Sequence, residues 1–259
     1  MEKTIRHLVK KIIRYLIKPV ILEEINPFQT QLNKIQNELH PKILTTVNKK
    51  NNIKGSYGLG FVELFRGSED LIKQRHTFYI KFLKNRNNIL DIGCGRGEFI
   101  ELLKKNGVDG IGIDIDKEIV RYCQKKHLKA IHADFQKYLI KQPDNYFGGI
   151  SALQVIEHLS FNELISFFKL CFRKLSVGGI LITETVNPHC LPAHKFFYID
   201  PTHTKPLFPE VAKFLFISTG FQRVKLFYLH PVNPQTSMKK SHKYLQFECA
   251  DYAILGMKQ

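Results

Sequence analysis

Short apolar runs alternate with amphipathic stretches over roughly residues 56–230. The runs have the length of buried strands, whereas the stretches repeat their apolar positions at helical spacing. Such alternation is typical of a parallel sheet with helices on both faces. The predicted strands are Asn88–Asp91, Gly110–Ile113, Lys129–His132, Phe147–Leu153 and Gly179–Val186, and the predicted helices cover 97–106, 116–127, 160–174 and 209–219.

Two further apolar runs follow the alternating part of the chain. Phe221–Tyr228 and Tyr244–Leu255 have strand character, and the proline-containing stretch 231–243 joins them. We expect them to end the sheet as an antiparallel hairpin. The sequence therefore predicts an α/β domain over residues 55–259, built on a mostly parallel seven-stranded sheet.

Residues 1–54 are predicted to form a separate, helical and basic extension. Over 1–18, apolar residues recur at helical spacing with lysines and arginines interleaved. This pattern suits a helix on the anionic surface of a membrane, and it suits equally a helix packed on the domain or in a dimer contact. Arg14 and Lys18 interrupt the apolar runs, which argues against a secretory signal and a membrane-spanning helix.

The chain is strongly basic, with a formal net charge of +16. A basic surface attracts nucleic acid, anionic membranes or phosphorylated substrates, and solvated lysines alone also produce it. No RNA-binding module is recognised, so a phosphate-bearing acceptor is favoured over nucleic acid. The five cysteines are widely spaced and form no CxxC pair, which favours neither a zinc site nor disulfides and suits a reducing cytoplasm.

A glycine-rich loop follows the first predicted strand. The strand runs into the segment Asp91-Ile92-Gly93-Cys94-Gly95-Arg96-Gly97. Glycines let the backbone turn sharply and let a ligand approach closely, and open parallel sheets bind ligands beyond the carboxyl ends of their strands. A dinucleotide fingerprint needs its third glycine at the sixth position, where this chain has Glu98, whose charge would oppose a pyrophosphate. The spacing favours S-adenosylmethionine over a dinucleotide.

Acidic residues follow the next two predicted strands. Asp114, followed by Ile115, closes the second strand, and its carboxylate can accept hydrogen bonds from both hydroxyls of a ribose. Asp134-Phe135 follows the third strand and offers a carboxylate and an aromatic face for an adenine ring. Each aspartate alone also fits a helix cap. The glycine loop and the two acidic positions together, each after its own strand, indicate one cofactor pocket.

These motifs resemble those of class I S-adenosylmethionine-dependent methyltransferases, over roughly residues 56–225. The resemblance implies a Rossmann-like class I methyltransferase fold and S-adenosylmethionine as the cofactor. The matching runs are Asn88–Phe99, Gly112–Asp116, His132–Phe135, Ser151–Leu159 and Lys174–Gly179. The expected cofactor-binding residues are Arg66, Gly67, Asp91, Gly93, Cys94, Gly95, Gly97, Asp114, Ile115, Asp134, Phe135, Gln154 and Val155.

The resemblance also implies roles within the pocket. Arg66 and Gly67 would lie over the methionyl end of the cofactor, where Arg66 could form a bidentate pair with the carboxylate. Gln154 and Val155, after the fourth strand, would line the methyl-bearing side. His158 would lie at the start of the next helix and shape the floor of the site. A surface role for Arg66 and a structural role for His158 are the alternative interpretations.

Two further runs, Phe65–Lys73 and Phe197–His203, look like a narrower branch of the family. That branch is found with bacterial surface-polysaccharide genes, and its members are often named O-antigen chain-terminating or sugar methyltransferases. It implies methyl transfer to a hydroxyl of a sugar, in a nucleotide sugar or a bacterial surface glycan. The enzyme would work in the cytoplasm or peripherally on the inner face of the membrane.

Methyl transfer to a hydroxyl needs a group that removes a proton. The preferred base is His203, because an imidazole titrates near neutrality and Asp200 could orient it; His158 completes the predicted catalytic set. A lid in which Asp200 and His203 hold the loop shut explains the same segment. Further candidate bases are Glu184, Asn187, His189 and His194. His189, His194, Asp200 and His203 are the candidate metal ligands, but a metal is not expected, because no HxxxH-type repeat is present.

Other acceptors are less well matched. The segment 153–156 lacks the proline-rich motif of adenine N6 methyltransferases, and 147–160 lacks the cysteine that cytosine C5 enzymes use. An O-methyltransferase of the quinone-biosynthesis type is the closest rival, followed by an RNA methyltransferase. A non-enzymatic docking subunit is disfavoured by the intact glycine loop and Asp114.

Overall fold

A computed structural model of the chain describes residues 57–233, 235 and 242–259. Within these residues the strands are β1 (Ile89–Ile92), β2 (Gly110–Asp114), β3 (Ala130–His132), β4 (Phe147–Leu153), β5 (Leu175–Val186), β6 (Gln222–Pro231) and β7 (Cys249–Met257). They form one sheet in the order β3-β2-β1-β4-β5-β7-β6. The first five strands are parallel, and β7 lies antiparallel between β5 and β6. The predicted Rossmann-like sheet is confirmed.

Helices flank the sheet in the described part of the chain. They are α1 (Tyr57–Phe65), α2 (Glu69–Leu83), α3 (Glu98–Lys105), α4 (Lys117–Lys125), α5 (Phe135–Lys141), α6 (Phe161–Lys174), α7 (His194–Tyr198), α8 (Pro209–Thr219) and α9 (His242–Glu248). Short 3₁₀ turns cover Ile156–His158 and Leu191–Ala193. Among the described helices, none has the length and apolar character that crossing a membrane requires.

The central strands are buried on both faces, as parallel strands between helices are. On one face, Leu90 and Leu181 pack with side chains of α6 and α8, including Phe167 and Phe216. On the other face, neighbouring strand residues pack with Tyr79 of α2 and with side chains of α3. Each fully buried phenylalanine contributes about 1.5–3 kcal/mol of apolar burial. The core therefore holds the sheet in place, and the candidate site lies at the carboxyl ends of the parallel strands.

Helix starts follow ordinary capping rules. Ser160 caps α6, and the side chain of Glu163 accepts a hydrogen bond from the backbone N–H of Ser160 in return. Asp116 caps α4 by accepting from the N–H of Glu118 at 2.8 Å. His158 therefore lies in the 3₁₀ turn before α6 and not in that helix, which corrects the expectation that it begins the next helix.

The predicted elements agree with the structure except near the end of the sheet. The helix predicted over 209–219 is α8 with the same bounds. β5 begins at Leu175 rather than Gly179, because Leu175 already pairs with Phe147. The strand predicted over Tyr244–Leu255 was wrong in its first part, which forms α9. There the aromatic residues suggested a strand, although only the later part pairs with β5.

The extension predicted over 1–54 lies outside the described residues. Its helices, its membrane and dimer interpretations, and the domain boundary at residue 55 therefore stay predictions.

Candidate active site

The glycine loop between β1 and α3 has the left-handed backbone that its sequence requires. Gly93 has φ 68° and Gly95 has φ 52°. A β-carbon on Gly93 would lie 2.5 Å from Cγ2 of Val155, and one on Gly95 would lie 2.9 Å from Nη1 of Arg66. The loop is thus a bare backbone surface between Arg66 and the segment after β4, which fits a ligand seated closely against it.

Asp114 at the end of β2 supports this loop directly. Its Oδ2 accepts a hydrogen bond from the N–H of Gly95 at 3.1 Å, and its Oδ1 accepts one from Asp116 at 2.9 Å. Burial raises the pKa of this carboxyl above its usual value. Next to it, Ile115 is 73% exposed and offers an apolar surface at the open edge. Binding of a ribose and a base by these two residues stays a prediction.

Two loop residues are held inside the protein. Asp91 is buried and accepts a hydrogen bond from the hydroxyl of Ser151 at 2.7 Å, and burial raises its pKa to about 7. Cys94 is buried in a small apolar cluster with Cys123, whose thiol donates to the carbonyl of Gly95 at 3.1 Å. The side chain of Cys94 therefore packs under the loop, and Asp91 anchors the loop to β4.

Asp134 and Phe135 are engaged locally. Asp134 accepts a hydrogen bond from the N–H of Lys137 at 3.0 Å and so caps α5. Phe135 meets the ring of Phe167 edge-on, with 5.6 Å between centroids. The helix-cap role considered for Asp134 is present in the structure. Binding of an adenine ring by this pair stays a prediction.

The connection between α1 and α2 lies against the glycine loop. Arg96 is buried, donates to the carbonyl of Gly67 at 2.8 Å and pairs with Glu98 at 2.7 Å. The charge of Glu98, which was expected to oppose a pyrophosphate, is therefore balanced by Arg96. The role of Arg96 was missed because it depends on a carbonyl 29 residues away. Nη2 of Arg66 lies 3.5 Å from the carbonyl of Leu153, over the end of β4.

Gln154 links the end of β4 to a buried acidic group. Its backbone has φ 60°, which is uncommon for a residue with a side chain. Its amide donates to Oε1 of Glu184 at 3.2 Å and to Oδ1 of Asp251 at 3.1 Å. On the same group, Nδ1 of His230 lies 2.8 Å from Oδ2 of Asp251. His230 and Asp251 were missed by sequence reasoning, because both lie beyond Phe197–His203, the last recognised run.

The predicted catalytic residues meet in a different pairing from the one expected. Nδ1 of His203 lies 2.6 Å from the carbonyl of Phe197, whereas its Nε2 is 4.0 Å from Asp200. Asp200 instead accepts from the hydroxyl of Thr202 at 2.6 Å, and that hydroxyl lies 2.9 Å from Nδ1 of His158. Asp200 is thus close to His203, as expected, but its hydrogen-bonded link runs through Thr202 to His158.

Glu157 lies beneath these histidines. It is fully buried, and burial raises the pKa of its carboxyl to about 8. Among the described residues, neither of its oxygens has a hydrogen-bond partner. Ligand-type atoms of Glu157, His158 and His203 all lie within 4.8 Å of one another, so this set could hold a divalent cation.

The remaining candidate bases are used elsewhere. His189 pairs with Glu210 at 3.0 Å, and Nε2 of His194 lies 2.8 Å from the carbonyl of Pro188. The amide of Asn187 donates to two backbone carbonyls near the start of β7. The four residues considered for a metal in the sequence, which included His189 and His194, therefore do not come together as one group.

The glycine loop, Asp114 and the Rossmann-like sheet define a methyltransferase. The methyltransferase-domain family matches residues 65–224, more than half of the chain, and the chain belongs to this family. The domain is of the class I type, for which S-adenosylmethionine is the methyl donor. A solved S-adenosylmethionine-dependent methyltransferase from Archaeoglobus fulgidus is 34% identical, with a TM-score of 0.71 over 78% of this chain and 100% of that chain.

Two curated relatives are more distant. A probable S-adenosylmethionine-dependent methyltransferase of Mycolicibacterium smegmatis is 26% identical over 152 residues, which are 58% of each protein. The mitochondrial ubiquinone biosynthesis O-methyltransferase of Mus musculus is 31% identical over 109 residues, which are 38% of this chain and 28% of that protein. The chain thus spans little more than half of one relative and about a quarter of the other.

Proposed function

We propose that the enzyme transfers a methyl group to a hydroxyl of a sugar, in a nucleotide sugar or a bacterial surface glycan. The observation that carries this is the group at the end of β4 in which Gln154 binds the carboxylates of Glu184 and Asp251, with the imidazole of His230 on Asp251. Each carboxylate oxygen accepts one hydrogen bond within the protein and keeps a second lone pair, and several such oxygens at one place suit a polyhydroxylated acceptor.

The residues of the cofactor pocket have distinct tasks in this proposal. Arg66 would pair with the carboxylate of the donor, and Asp114 would accept from its ribose while it holds the loop through Gly95. When bound, the donor supplies an electrophilic methyl group on a positively charged sulfur. Gln154 and Val155 would border that methyl group, so that an acceptor hydroxyl placed beside Gln154 is aligned with it.

The acceptor class rests on sequence and charge. Phe65–Lys73 and Phe197–His203 are the runs that resemble the surface-polysaccharide branch. The net charge of +16 would agree with a phosphate-bearing acceptor, such as the diphosphate of a nucleotide sugar. We also propose that residues 1–18 attach the enzyme to an anionic membrane surface, or pack in a homodimer, and that nucleic acid is not the acceptor.

An O-methyltransferase acting on a quinone precursor is the second candidate. It is favoured by the similarity to the mouse ubiquinone biosynthesis O-methyltransferase. Exposed aromatic side chains on α7 and α8, among them Tyr198 and Phe214, would suit an acceptor with an apolar tail. This alternative keeps the same cofactor pocket and changes only the acceptor.

A methyl-transfer screen tests the proposal. The full chain is incubated with S-adenosylmethionine that carries a labelled methyl group and with nucleotide sugars, lipid-linked glycans, dihydroxybenzoate-type quinone precursors and RNA. The proposal expects label on a nucleotide sugar or glycan. Label on the quinone precursors alone would transfer the assignment to the second candidate, and label on RNA alone would contradict both.

A further inference from the structure

A hydrogen-bonded network lies at the edge of the sheet where β5, β6 and β7 meet α2. Its acidic members are Glu184 and Asp251, both buried. The hydroxyl of Tyr79 donates to Oε2 of Glu184, and the amide of Gln154 donates to both carboxylates. With His230 on Oδ2 of Asp251, all four carboxylate oxygens are engaged. The network is therefore held together by its own hydrogen bonds.

His230 has a fixed tautomer in this network. A carboxylate only accepts hydrogen bonds, so Nδ1 of His230 carries the proton that is donated to Asp251 at 2.8 Å. In the neutral ring, Nε2 then keeps its lone pair. The side chain is 12% exposed, so the ring is confined but not completely buried. A carboxylate that orients an imidazole in this way is the arrangement by which enzymes build a general base.

The groups around His230 favour a basic imidazole. Burial lowers its pKa, but the hydrogen bond to Asp251 and the charge of Glu184 outweigh burial, so the pKa is raised. Arg75 acts in the opposite direction, and His76 on the same helix is neutral, because burial lowers its pKa to about 3. By contrast, burial lowers the pKa of His158, and His203 donates to a neutral carbonyl.

The network also adjoins the expected methyl group. Gln154 is a predicted neighbour of the methyl-bearing side of the cofactor, and its side chain is turned to Glu184 and Asp251. Its left-handed backbone, with φ 60°, is sustained by these bonds and by its N–H, which donates to the carbonyl of Glu184 at 2.8 Å. A hydroxyl placed beside Gln154 is thereby near His230 as well.

We propose that His230, positioned by Asp251, is the general base that removes the proton from the acceptor hydroxyl; this inference rests on the proposed function. The O–H bond of the acceptor breaks as its proton passes to Nε2 of His230. The oxygen forms a bond to the methyl carbon while the carbon–sulfur bond breaks, and that electron pair stays on sulfur as a neutral thioether. The imidazolium, paired with Asp251, later releases the proton to water.

Chemical rescue tests the base with a matched control. His230 has φ 58°, so glycine is compatible with its backbone, and His127 is an exposed histidine with φ 56°. On the acceptor most active in the screen, His230→Gly is expected to lower kcat by about 100-fold or more, with S-adenosylhomocysteine affinity retained. Added imidazole should restore part of the rate, whereas His127→Gly should keep wild-type turnover and show no response.

The same assay separates His230 from His203. A rate that His230→Gly leaves unchanged, or that falls without any response to imidazole, would overturn the proposal. A large loss of turnover in His203→Asn would also overturn it, if added imidazole restores activity to that variant and not to His230→Gly. Asp251→Asn should lower kcat and move the acidic limb of the kcat/KM profile to lower pH, because the imidazole loses its carboxylate partner. A lower kcat with an unmoved limb would contradict the positioning role.

Nitrogen NMR of the histidine side chains tests the dyad without an acceptor. In the complex with S-adenosylhomocysteine, His230 is expected as the Nδ1–H tautomer, and Asp251→Asn should lower its pKa. If none of the acceptors in the screen is methylated, the proposed function is overturned. The NMR result then decides by itself whether Asp251 positions His230. An Nε2–H tautomer, or a pKa that Asp251→Asn leaves unchanged, would overturn the dyad even in an active enzyme.

Discussion

The carboxylate of Asp114 accepts a hydrogen bond from the backbone N–H of Gly95 at 3.1 Å. The end of β2 is thus tied to the middle of the glycine loop, so two features that the sequence assigned to one pocket are in direct contact. The same carboxylate has further lone pairs for the ribose of a cofactor. We therefore expect Asp114 both to hold the loop and to bind the cofactor.

Replacing Asp114 should weaken cofactor binding. Asp114→Asn keeps the shape of the side chain but exchanges one acceptor oxygen for a donor, and the loss of charge-assisted hydrogen bonds is worth about 1.5–3 kcal/mol. We expect the Kd for S-adenosylmethionine, measured by calorimetry, to rise about 10- to 100-fold. Asp109→Asn is the control, because Asp109 is 70% exposed and pairs with Lys129 on the surface. Equal affinities in the two variants would contradict the role of Asp114.

Gly95→Ala should separate backbone strain from ligand binding. The new β-carbon would lie 2.9 Å from Nη1 of Arg66 and displace the guanidinium. Gly178 has φ 77° and open space around it, so Gly178→Ala carries the strain alone. Both variants should lose about 1–2 kcal/mol of unfolding free energy, measured in urea. Only Gly95→Ala should lose affinity for S-adenosylmethionine; comparable affinity losses in both would reject a role of Arg66 at the loop.

The stability of the protein should depend on Asp91 through pH. Its folded-state pKa is raised to about 7 from 3.8, so folding favours the protonated carboxyl. This contribution is present at pH below about 4, and it is lost as the pH rises from there towards 7. Asp91→Asn cannot ionise. The unfolding free energy of Asp91→Asn minus that of the wild type should therefore increase by about 1–3 kcal/mol from pH 5 to pH 8.

Urea titrations of the two proteins without cofactor at both pH values measure this gain. Glu157, whose pKa is also raised, is present in both proteins and cancels in the difference. A difference that stays constant or shrinks with rising pH would show that Asp91 is ionised in the folded protein.

The basic segment 1–18 should bind anionic membranes if the membrane interpretation of the extension is correct. Deletion of these residues is expected to abolish co-sedimentation with vesicles that contain phosphatidylglycerol, while the deleted chain keeps its cofactor affinity. Vesicles of neutral phosphatidylcholine serve as the control surface. An intact chain that stays in the supernatant with both vesicles would leave packing or dimer contact as the interpretation.

Much of the fold was predictable because each strand of the parallel part is a short apolar run followed by its own polar signal. The glycine loop and Asp114 were predictable because they directly follow the first and second strands. The helix α9 was missed because Tyr244 and Phe247 have strand propensity, although only helical spacing buries Leu245 and exposes both aromatic rings.

The acceptor side was harder to predict, because it is assembled from residues far apart in the chain. His230 and Asp251 lie on two antiparallel strands and meet only through the register of that pairing. Likewise, Thr202 joins Asp200 to His158 across 44 residues, so the segment 200–203 suggested a pairing with His203 instead. Local spacing carries no information on such contacts.

The structure of the complex with S-adenosylhomocysteine is the most direct test of the cofactor pocket. It should show the ribose hydroxyls within hydrogen-bond distance of the Asp114 carboxylate and the amino acid carboxylate at Arg66, with the backbone of Gly93 and Gly95 against the ligand. A ligand bound elsewhere, or a ribose that does not reach Asp114, would contradict the account.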